Sequence, residues 1–326
     1  MPSYRVLITG GAGYIGSHIA WACVDVGHSV CVLDNLSTGS RRNVPPQALF
    51  IEGNAADSIM HELAREADFI VHCAGSTSVE ESVADPAKYF RNNTASSLNV
   101  IEAACASNVR GLVFSSTAAV YSPALAPLPE TSEIAPLTPY GQSKRMTEIM
   151  LEHVAHSAAL PFMTLRYFNV AGADPAGRTG QTTPRATHLV KVACEAALGM
   201  RECVSIFGTD YPTPDGTCVR DYIHVSDLAD VHLLALDHLV KGSPSLTLNC
   251  GYGRGTSVRE VLAAVEAATG KSIPSVDAPR RIGDAPAAVA DPSLLQATLN
   301  WSPRFADIRQ IAASAFAWER QVMARR

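Results

Sequence analysis

Paired cysteines are missing from this sequence. Its eight cysteines (Cys23, Cys31, Cys73, Cys105, Cys194, Cys203, Cys218 and Cys250) are scattered, none stands in a C-x-x-C pair, and most lie in apolar segments. That spacing argues against a zinc site or a disulfide framework, and for a reducing compartment. An excess of either charge is lacking too. The net charge of −5 leaves no basic footprint for nucleic acid or an anionic membrane. No apolar run is long enough to span a bilayer, and a strand-like run begins at Tyr4, so neither a membrane span nor a signal peptide is expected. Repeats and low-complexity tracts are absent as well. The expectation is a soluble cytoplasmic protein without a metal site.

What is present suffices for a sizeable core: 326 residues, 47% of them apolar, enough for two domains or one large domain with lobes. The first half alternates short β-rich runs with helical stretches. Arg5–Thr9 reads as a buried strand, and Tyr14–Val26 as a helix with Ile15, Ile19, Ala22, Cys23 and Val26 on one face and Gly27 at its end. Further strands are predicted at Val30–Leu33, Leu49–Ile51, Phe69–Val71 and Leu112–Ser115, and long helices near Pro86–Ala106 and Tyr140–His156. Continuous apolar strands separated by helices indicate a parallel sheet covered on both faces. The second half is less regular. A polar, Pro/Gly-rich stretch runs from Ala173 to Pro184, and "GTDYPTPDGT" (Gly208–Thr217) is rich in turn formers. Helices are predicted near Ala186–Gly199, Val225–Val240, Val258–Gly270 and Ile308–Met323, with a strand at Leu246–Asn249. The break in regularity near Val170 points to a smaller second lobe.

"TGGAGYIGSH" follows the first strand and opens the first helix, with Gly10, Gly13 and Gly16 three apart. Glycine lets the chain turn tightly and lets backbone N–H groups approach a pyrophosphate, whose charge the helix N-terminus favours. A Gly triplet alone is a weak signal; its place between strand and helix strengthens it. The second strand ends in Asp34, where the fingerprint expects the acid that bonds the adenosine ribose. A carboxylate there repels a 2′-phosphate and so favours NAD over NADP. His72, in "HCAG", reads by itself as a core histidine.

The strand Leu112–Ser115 runs into Thr117, at the end of the sheet where ligands bind. "PYGQSK" then sets Tyr140 and Lys144 four residues apart, on one helix face. A free tyrosine is a poor base at neutral pH. An ammonium at roughly 4–5 Å favours the phenolate by about 3–4 kcal/mol at an effective dielectric near 20, which would poise the phenol near neutrality. Alone the pair reads as a surface contact; with the Gly cradle and Thr117 it reads as a reactive trio.

These stretches, together with "LDNLSTG", "ESVADP", "LRYFNVAGA", "IFGTDYPTPDGTCVRDYIHVSDLA", "APRRIGDAPA" and "LNW", resemble the extended short-chain dehydrogenase/reductase superfamily and, within it, the UDP-galactose (UDP-glucose) 4-epimerases, over essentially the whole chain. The resemblance implies an α/β fold: a Rossmann-type doubly wound parallel sheet with a smaller α/β substrate-binding lobe. Residues 1–169 plus about 226–253 would hold NAD, and about 170–225 plus 254–326 the UDP-sugar. It implies Tyr140 as base and acid on the sugar 4-hydroxyl, Thr117 as its proton partner, and Lys144 on the nicotinamide ribose. NAD would lie along Gly10, Gly13, Tyr14, Ile15, Gly16, Asp34, Asn35, Ser37, Gly39, Asn54, Ala55, Cys73, Ala74, Gly75, Thr77, Asn93, Tyr167 and Phe168. Arg220 and Arg281 would grip the diphosphate, Asp284 the uridine ribose, Ser205 and Phe207 the uracil, and Asn169, His188 and Leu189 the sugar side. A transient 4-keto sugar is implied, and a homodimer through the two long helices of the first half.

The chain departs from the pattern in places. Asn54 stands for the usual acid after the third strand, Thr77 for a lysine, and "VEES" for Val-Gly-Glu-Ser. Ala288 fills a position that is bulky, often tyrosine, in members restricted to unacetylated sugars, so UDP-GlcNAc and UDP-GalNAc are expected substrates too. A nucleotide-sugar dehydratase would need an acid after Thr117, where Ala118 and Ala119 stand. A UDP-pentose 4-epimerase shares the same chemistry and stays open. A non-catalytic NAD-binding regulator has no need of the Tyr/Lys pair.

Overall fold

The computed structural model describes residues 3–125, 127–184, 186–281 and 283–325; Ile282, inside the Ala278–Ala287 motif, lies outside the described residues. The first half runs β1 (Arg5–Thr9), α1 (Tyr14–Asp25), β2 (Ser29–Asp34), β3 (Leu49–Glu52), α2 (Ile59–Glu66), β4 (Phe69–His72), α3 (Val79–Ala84), α4 (Pro86–Tyr89), α5 (Ser96–Cys105), β5 (Gly111–Thr117), α6 (Pro139–Ser157) and β6 (Phe162–Tyr167). The second half runs β7 (Asn169–Ala171), α7 (Leu189–Ala197), β8 (Val204–Phe207), β9 (Val219–His224), α8 (Val225–Val240), β10 (Leu246–Cys250), β11 (Gly255–Ser257), α9 (Val258–Thr269), β12 (Ser275–Ala278), β13 (Ala287–Ala288), α10 (Ser293–Leu299) and α11 (Ile308–Ala324).

Seven parallel strands form one sheet in the order β10-β6-β5-β4-β1-β2-β3. Strand residues alternate between two cores, as a pleat requires. Val6, Ile8, Phe69 and Val71 pack toward Ile19, Cys23, Leu228 and Val231 of α1 and α8. Leu7, Ile70, Leu112 and Phe114 pack toward Met60, Ile101 and Leu151 of α2, α5 and α6. Both faces are covered, which is why the strands read as unbroken apolar runs. The strand order reverses between β1 and β4, so the crevice opens beyond their carboxyl ends, where Thr9, Asp34, His72, Thr117 and Tyr167 stand.

The remaining strands build a lobe: β9 lies between β11 and β13 and also pairs with β7, while β8 pairs with β12. Asp221 fixes β9 in place. Its buried carboxylate accepts the backbone N–H groups of Tyr252 (2.9 Å), Gly253 (2.8 Å) and Ala290 (3.2 Å). The core of α1 and α8 continues without a break into Val190, Ile206, Val261 and Ile311 of the lobe.

Two predicted helices are corrected. The one near Pro86–Ala106 is interrupted by a π-helical turn over Phe90–Ala95, because Asn93 turns inward and its side chain and carbonyl bind elsewhere. The one near Ala186–Gly199 begins at Leu189, since His188 is extended and caps it. Among the described residues no helix is long and apolar enough to cross a membrane.

Four buried histidines set an acid limit. Burial lowers His18 and His232 to about 4, and His72 and His224 to about 3, against about 6.5 unfolded. With the folded values depressed, the unfolded chain binds more protons below about pH 6.5, so stability present above that pH is lost as pH falls toward about 4. Each histidine contributes a slope of about 1.4 kcal/mol per pH unit in that window. The thermal unfolding midpoint is therefore expected to drop steeply from about pH 6.5 to 4.5; a midpoint that stays level across this range counts against neutral buried histidines.

Candidate active site

The cradle is built by close backbone approach. Gly10 (φ 72°) donates to Leu33 O at 2.8 Å and accepts from Gly13 N at 3.1 Å. A Cβ on Gly16 would lie 2.2 Å from Gly10 O, one on Gly10 would lie 2.7 Å from Ala74 N, and one on Gly39 would lie 2.7 Å from the Ala12 carbonyl carbon. α1 starts on Gly13 with no side-chain cap and no acid in its first turn, so its end is suited to an anion. Asp34 is held by Ala12 N (2.9 Å) and Leu36 N (2.8 Å). Asn35 donates to Asn54 at 2.7 Å and accepts from Ser37 N at 3.0 Å, while Ala55 is buried below. These residues fit an adenosine diphosphate moiety, with the Asn35–Asn54 amide pair standing at the third strand's end. Two neighbouring side chains have partners within the protein. Ile15 packs on the core, leaving only its backbone at the helix end. The Tyr14 hydroxyl donates to Gly172 O at 2.7 Å and ties the cradle to the loop after β7.

The trio assembles where α6 meets β5. Thr138 caps α6, accepting from Gly141 N at 3.2 Å. Gly141 lets the helix end press on the turn after β5: a Cβ there would be 2.3 Å from Ala119 O. Tyr140 is thereby brought beside the Thr117 side chain, whose Oγ1 accepts from Ala119 N at 3.2 Å. Lys144 is buried, but its Nζ donates to Ser115 O at 2.8 Å and sits 5.0 Å from the Phe114 ring.

This corrects the expected tuning. With the ammonium drawn to a backbone carbonyl, burial dominates and raises the Tyr140 phenol above its ordinary value, with the neighbouring Thr117 side chain pulling it down. Burial also lowers Lys144 to about 8, against the opposing pull of Cys73 and Glu148. Asn93 closes the corner: Oδ1 accepts Ser76 N (2.7 Å), and Nδ2 donates to Ser76 O and Ser143 Oγ (both 3.0 Å). A Cβ on Gly75 would lie 3.0 Å from Asn93 Oδ1 and 3.6 Å from Lys144 Nζ. Cys73 and Ala74 line the same corner half-buried, and Thr77 is exposed. His72 is a satisfied core residue, bonded to Thr9 (2.7 Å) and Ser97 (2.8 Å).

Beyond β6 the residues diverge. The Tyr167 hydroxyl donates to His232 Nε2 at 2.6 Å, since His232 Nδ1 is engaged with Leu228 O. The Phe168 side chain is core, beside Val120, Tyr121 and Ala290. Asn169, His188 and Leu189 line one cavity with Tyr14, Gln181 and Tyr222. In the lobe, Arg220 pairs with Asp284 at 3.3 Å, and Ala288 sits in register with Arg220. The Arg281 guanidinium stacks 3.7 Å over the Phe207 ring, on the strand that carries Ser205. Sequence reading passed over Tyr222, His232 and Glu148. The period of two along β9 placed Tyr222 on the face of Arg220, and Glu148 follows Lys144 by one helical turn.

A Gly cradle, a strand-end acid and a Tyr/Lys/Thr trio define a dinucleotide-dependent α/β enzyme. The chain belongs to the NAD dependent epimerase/dehydratase family, which it matches over residues 6–251. It is 51% identical to a UDP-glucose 4-epimerase of Azospirillum brasilense, over 98% of this chain and 93% of the relative. Its fold is similar to that of UDP-glucose 4-epimerase from Brucella ovis in complex with NAD (TM-score 0.93, 40% identity, 97% and 98% of the two chains). It is likewise similar to the UDP-Glc/GlcNAc 4-epimerase of Campylobacter jejuni (TM-score 0.85, 42% identity, 98% and 100%).

Since the cradle leaves no room at Gly16, Gly16→Ala is expected to purify without dinucleotide while keeping its helical and sheet content. NAD released on denaturation and a circular dichroism spectrum report the two; a full NAD complement in this variant would falsify the cradle assignment.

Proposed function

We propose that this protein is an NAD-dependent 4-epimerase that interconverts UDP-glucose and UDP-galactose. The carrying observation is Tyr140 beside Thr117 and Lys144 at the crevice end of β5, followed by Ala118 and Ala119, which exchange no protons and so leave epimerisation without dehydration. Tyr140 takes the proton of the sugar 4-hydroxyl and later returns it, with Thr117 as hydrogen-bond partner. NAD, when bound, supplies the hydride acceptor and a cationic ring. Asp34, Asn35, Ser37, Gly39 and Asn54 hold the adenosine end, and Lys144, Asn93 and Gly75 the opposite one. Arg220, Arg281, Asp284, Ser205 and Phe207 hold the UDP, so the hexose is bound weakly enough to turn over once it is a 4-keto sugar.

Residues 1–169 and about 226–253 serve the cofactor, and about 170–225 with 254–326 the UDP-sugar. Ala288 leaves space for a 2-acetamido group, so UDP-GlcNAc and UDP-GalNAc are substrates in this reading; the Campylobacter jejuni relative is a UDP-Glc/GlcNAc 4-epimerase. The protein acts as a homodimer through α6, where Met146 and Ile149 are exposed. Its eight free thiols suit the cytoplasm.

Purified protein with NAD is expected to interconvert UDP-glucose and UDP-galactose, and Tyr140→Phe to lose about 10²–10⁴-fold in kcat. Failure of the wild type to do so, with Tyr140→Phe no different, rejects the epimerase reading. Ala288→Tyr is expected to abolish turnover of the acetylated sugars and spare that of UDP-glucose. A wild type inactive on acetylated sugars removes the Ala288 argument alone.

A further inference from the structure

Tyr140 lies beside the Thr117 side chain, and Tyr89 packs against the Tyr140 ring. The two ring centroids are 6.3 Å apart and the planes meet at 85°, an edge-to-face geometry within the favourable range of about 4.5–7 Å. Tyr89 ends α4 and is the largest fully buried side chain among the described residues. A phenol at that depth requires a hydrogen-bond partner, and Tyr89 donates to Glu81 Oε2 at 2.9 Å. Lys88 Nζ holds the other Glu81 oxygen at 2.6 Å. The ring is thus anchored at its hydroxyl by α3 and at its backbone by α4.

The π-helical turn begins at the next residue and carries Asn93. Asn93 Nδ2 donates to Ser143 Oγ at 3.0 Å, and Ser143 Oγ donates to the carbonyl of Tyr140 at 2.8 Å. One short segment therefore touches Tyr140 twice: on its ring through Tyr89, and on its main chain through Asn93 and Ser143.

We propose that Tyr89 is a positioning residue for the proton step, its ring fixing the orientation of the Tyr140 ring so that the phenol oxygen stays aligned with Thr117. The inference rests on the epimerase reading. Glu81 and Lys88 hold Tyr89 in place and act only through it. A phenol free to swing by about 1 Å loses on the order of 10²-fold in rate, while the UDP contacts of the lobe are untouched. The effect therefore falls on kcat and leaves KM in place.

The test compares wild type, Tyr140→Phe, Tyr89→Leu and Tyr89→Phe, each with rates expressed per bound NAD and with thermal midpoints recorded. Tyr89→Leu is expected to lose about 10- to 100-fold in kcat at unchanged KM for UDP-glucose. Tyr89→Phe, which keeps the ring and drops only the Glu81 bond, is expected to stay within about threefold of wild type. A merely structural role would lower the midpoint and the NAD content and leave kcat per loaded site intact. Should Tyr89→Leu not accumulate as folded protein, Tyr89→Met, unbranched and non-aromatic, carries the same expectation. Wild-type kcat in the non-aromatic variant, or equal losses in Tyr89→Phe and Tyr89→Leu, overturns the role of the ring. A wild type without turnover overturns the epimerase reading and this inference together.

Discussion

Glu148 lies on α6 one turn after Lys144 and two after Tyr140, and its carboxylate meets the Arg166 guanidinium of β6 twice, at 3.0 Å and 2.8 Å. Its Oε1 also accepts the hydroxyl of Ser116 at 2.5 Å, the residue before Thr117. One buried acid thus sets the height of the reactive helix against the two strands that carry the proton partner and Tyr167. Arg166 passes the constraint on: it donates to the Tyr121 hydroxyl (2.9 Å), which donates to Asn249 of β10 (2.7 Å). Buried ion pairs add little net stability, but removing one partner costs about 3–5 kcal/mol because a charge is left unpaired. The pair therefore resists any slide of α6 along the sheet, which is the motion that would part Tyr140 from Thr117.

A second set of contacts closes the molecule across the crevice. The stretch Gly172–Thr182 is irregular but not free. Thr179 is fully buried and bonds Ser17 of α1 at 2.7 Å, and Thr182 accepts from Asn43 at 2.8 Å. Arg178 pairs with Asp174 and with Asp25 of α1 and stacks 4.4 Å over Trp21. On its other side, Gln181 O accepts from Lys191 (3.2 Å) and Trp318 (3.3 Å). Cradle and lobe are thereby two faces of one packed body, in keeping with the core that runs between them.

How much of this was legible follows from what each feature depends on. The cradle, Asp34 and the Tyr/Lys spacing are local patterns: a glycine, a strand end and a helical turn carry their meaning within a few residues, and the unbroken apolar runs announced a doubly covered sheet. The lobe strands β7, β11 and β13 are two or three residues long and exist because a partner pairs with them, which no local propensity records. The π-helical turn has ordinary helical residues; it forms because Asn93 finds Ser76 and Ser143 far along the chain. The pairing of Arg220 with Asp284 and the stacking of Arg281 on Phe207 join residues more than sixty apart. The lysine's effect on the phenol was misjudged for the same reason: spacing gives the shared face, while the carbonyl that captures Nζ belongs to another element.

That misjudgement changes the account of the site. Burial raises the Tyr140 phenol above its ordinary value and lowers Lys144 only to about 8, so at neutral pH the protein by itself holds a neutral phenol near a lysine that is still mostly protonated. Its own contribution is alignment rather than charge. Thr117 stands beside the phenol, Gly141 allows the helix end to approach, and Ser115 parks the lysine beside Gly75 and Asn93. Alignment is the part of catalysis that a packed scaffold supplies most cheaply, since it uses contacts already required for folding. Further charge that favours a phenolate then arrives with the ligands, so the phenol ionises most easily in the loaded crevice.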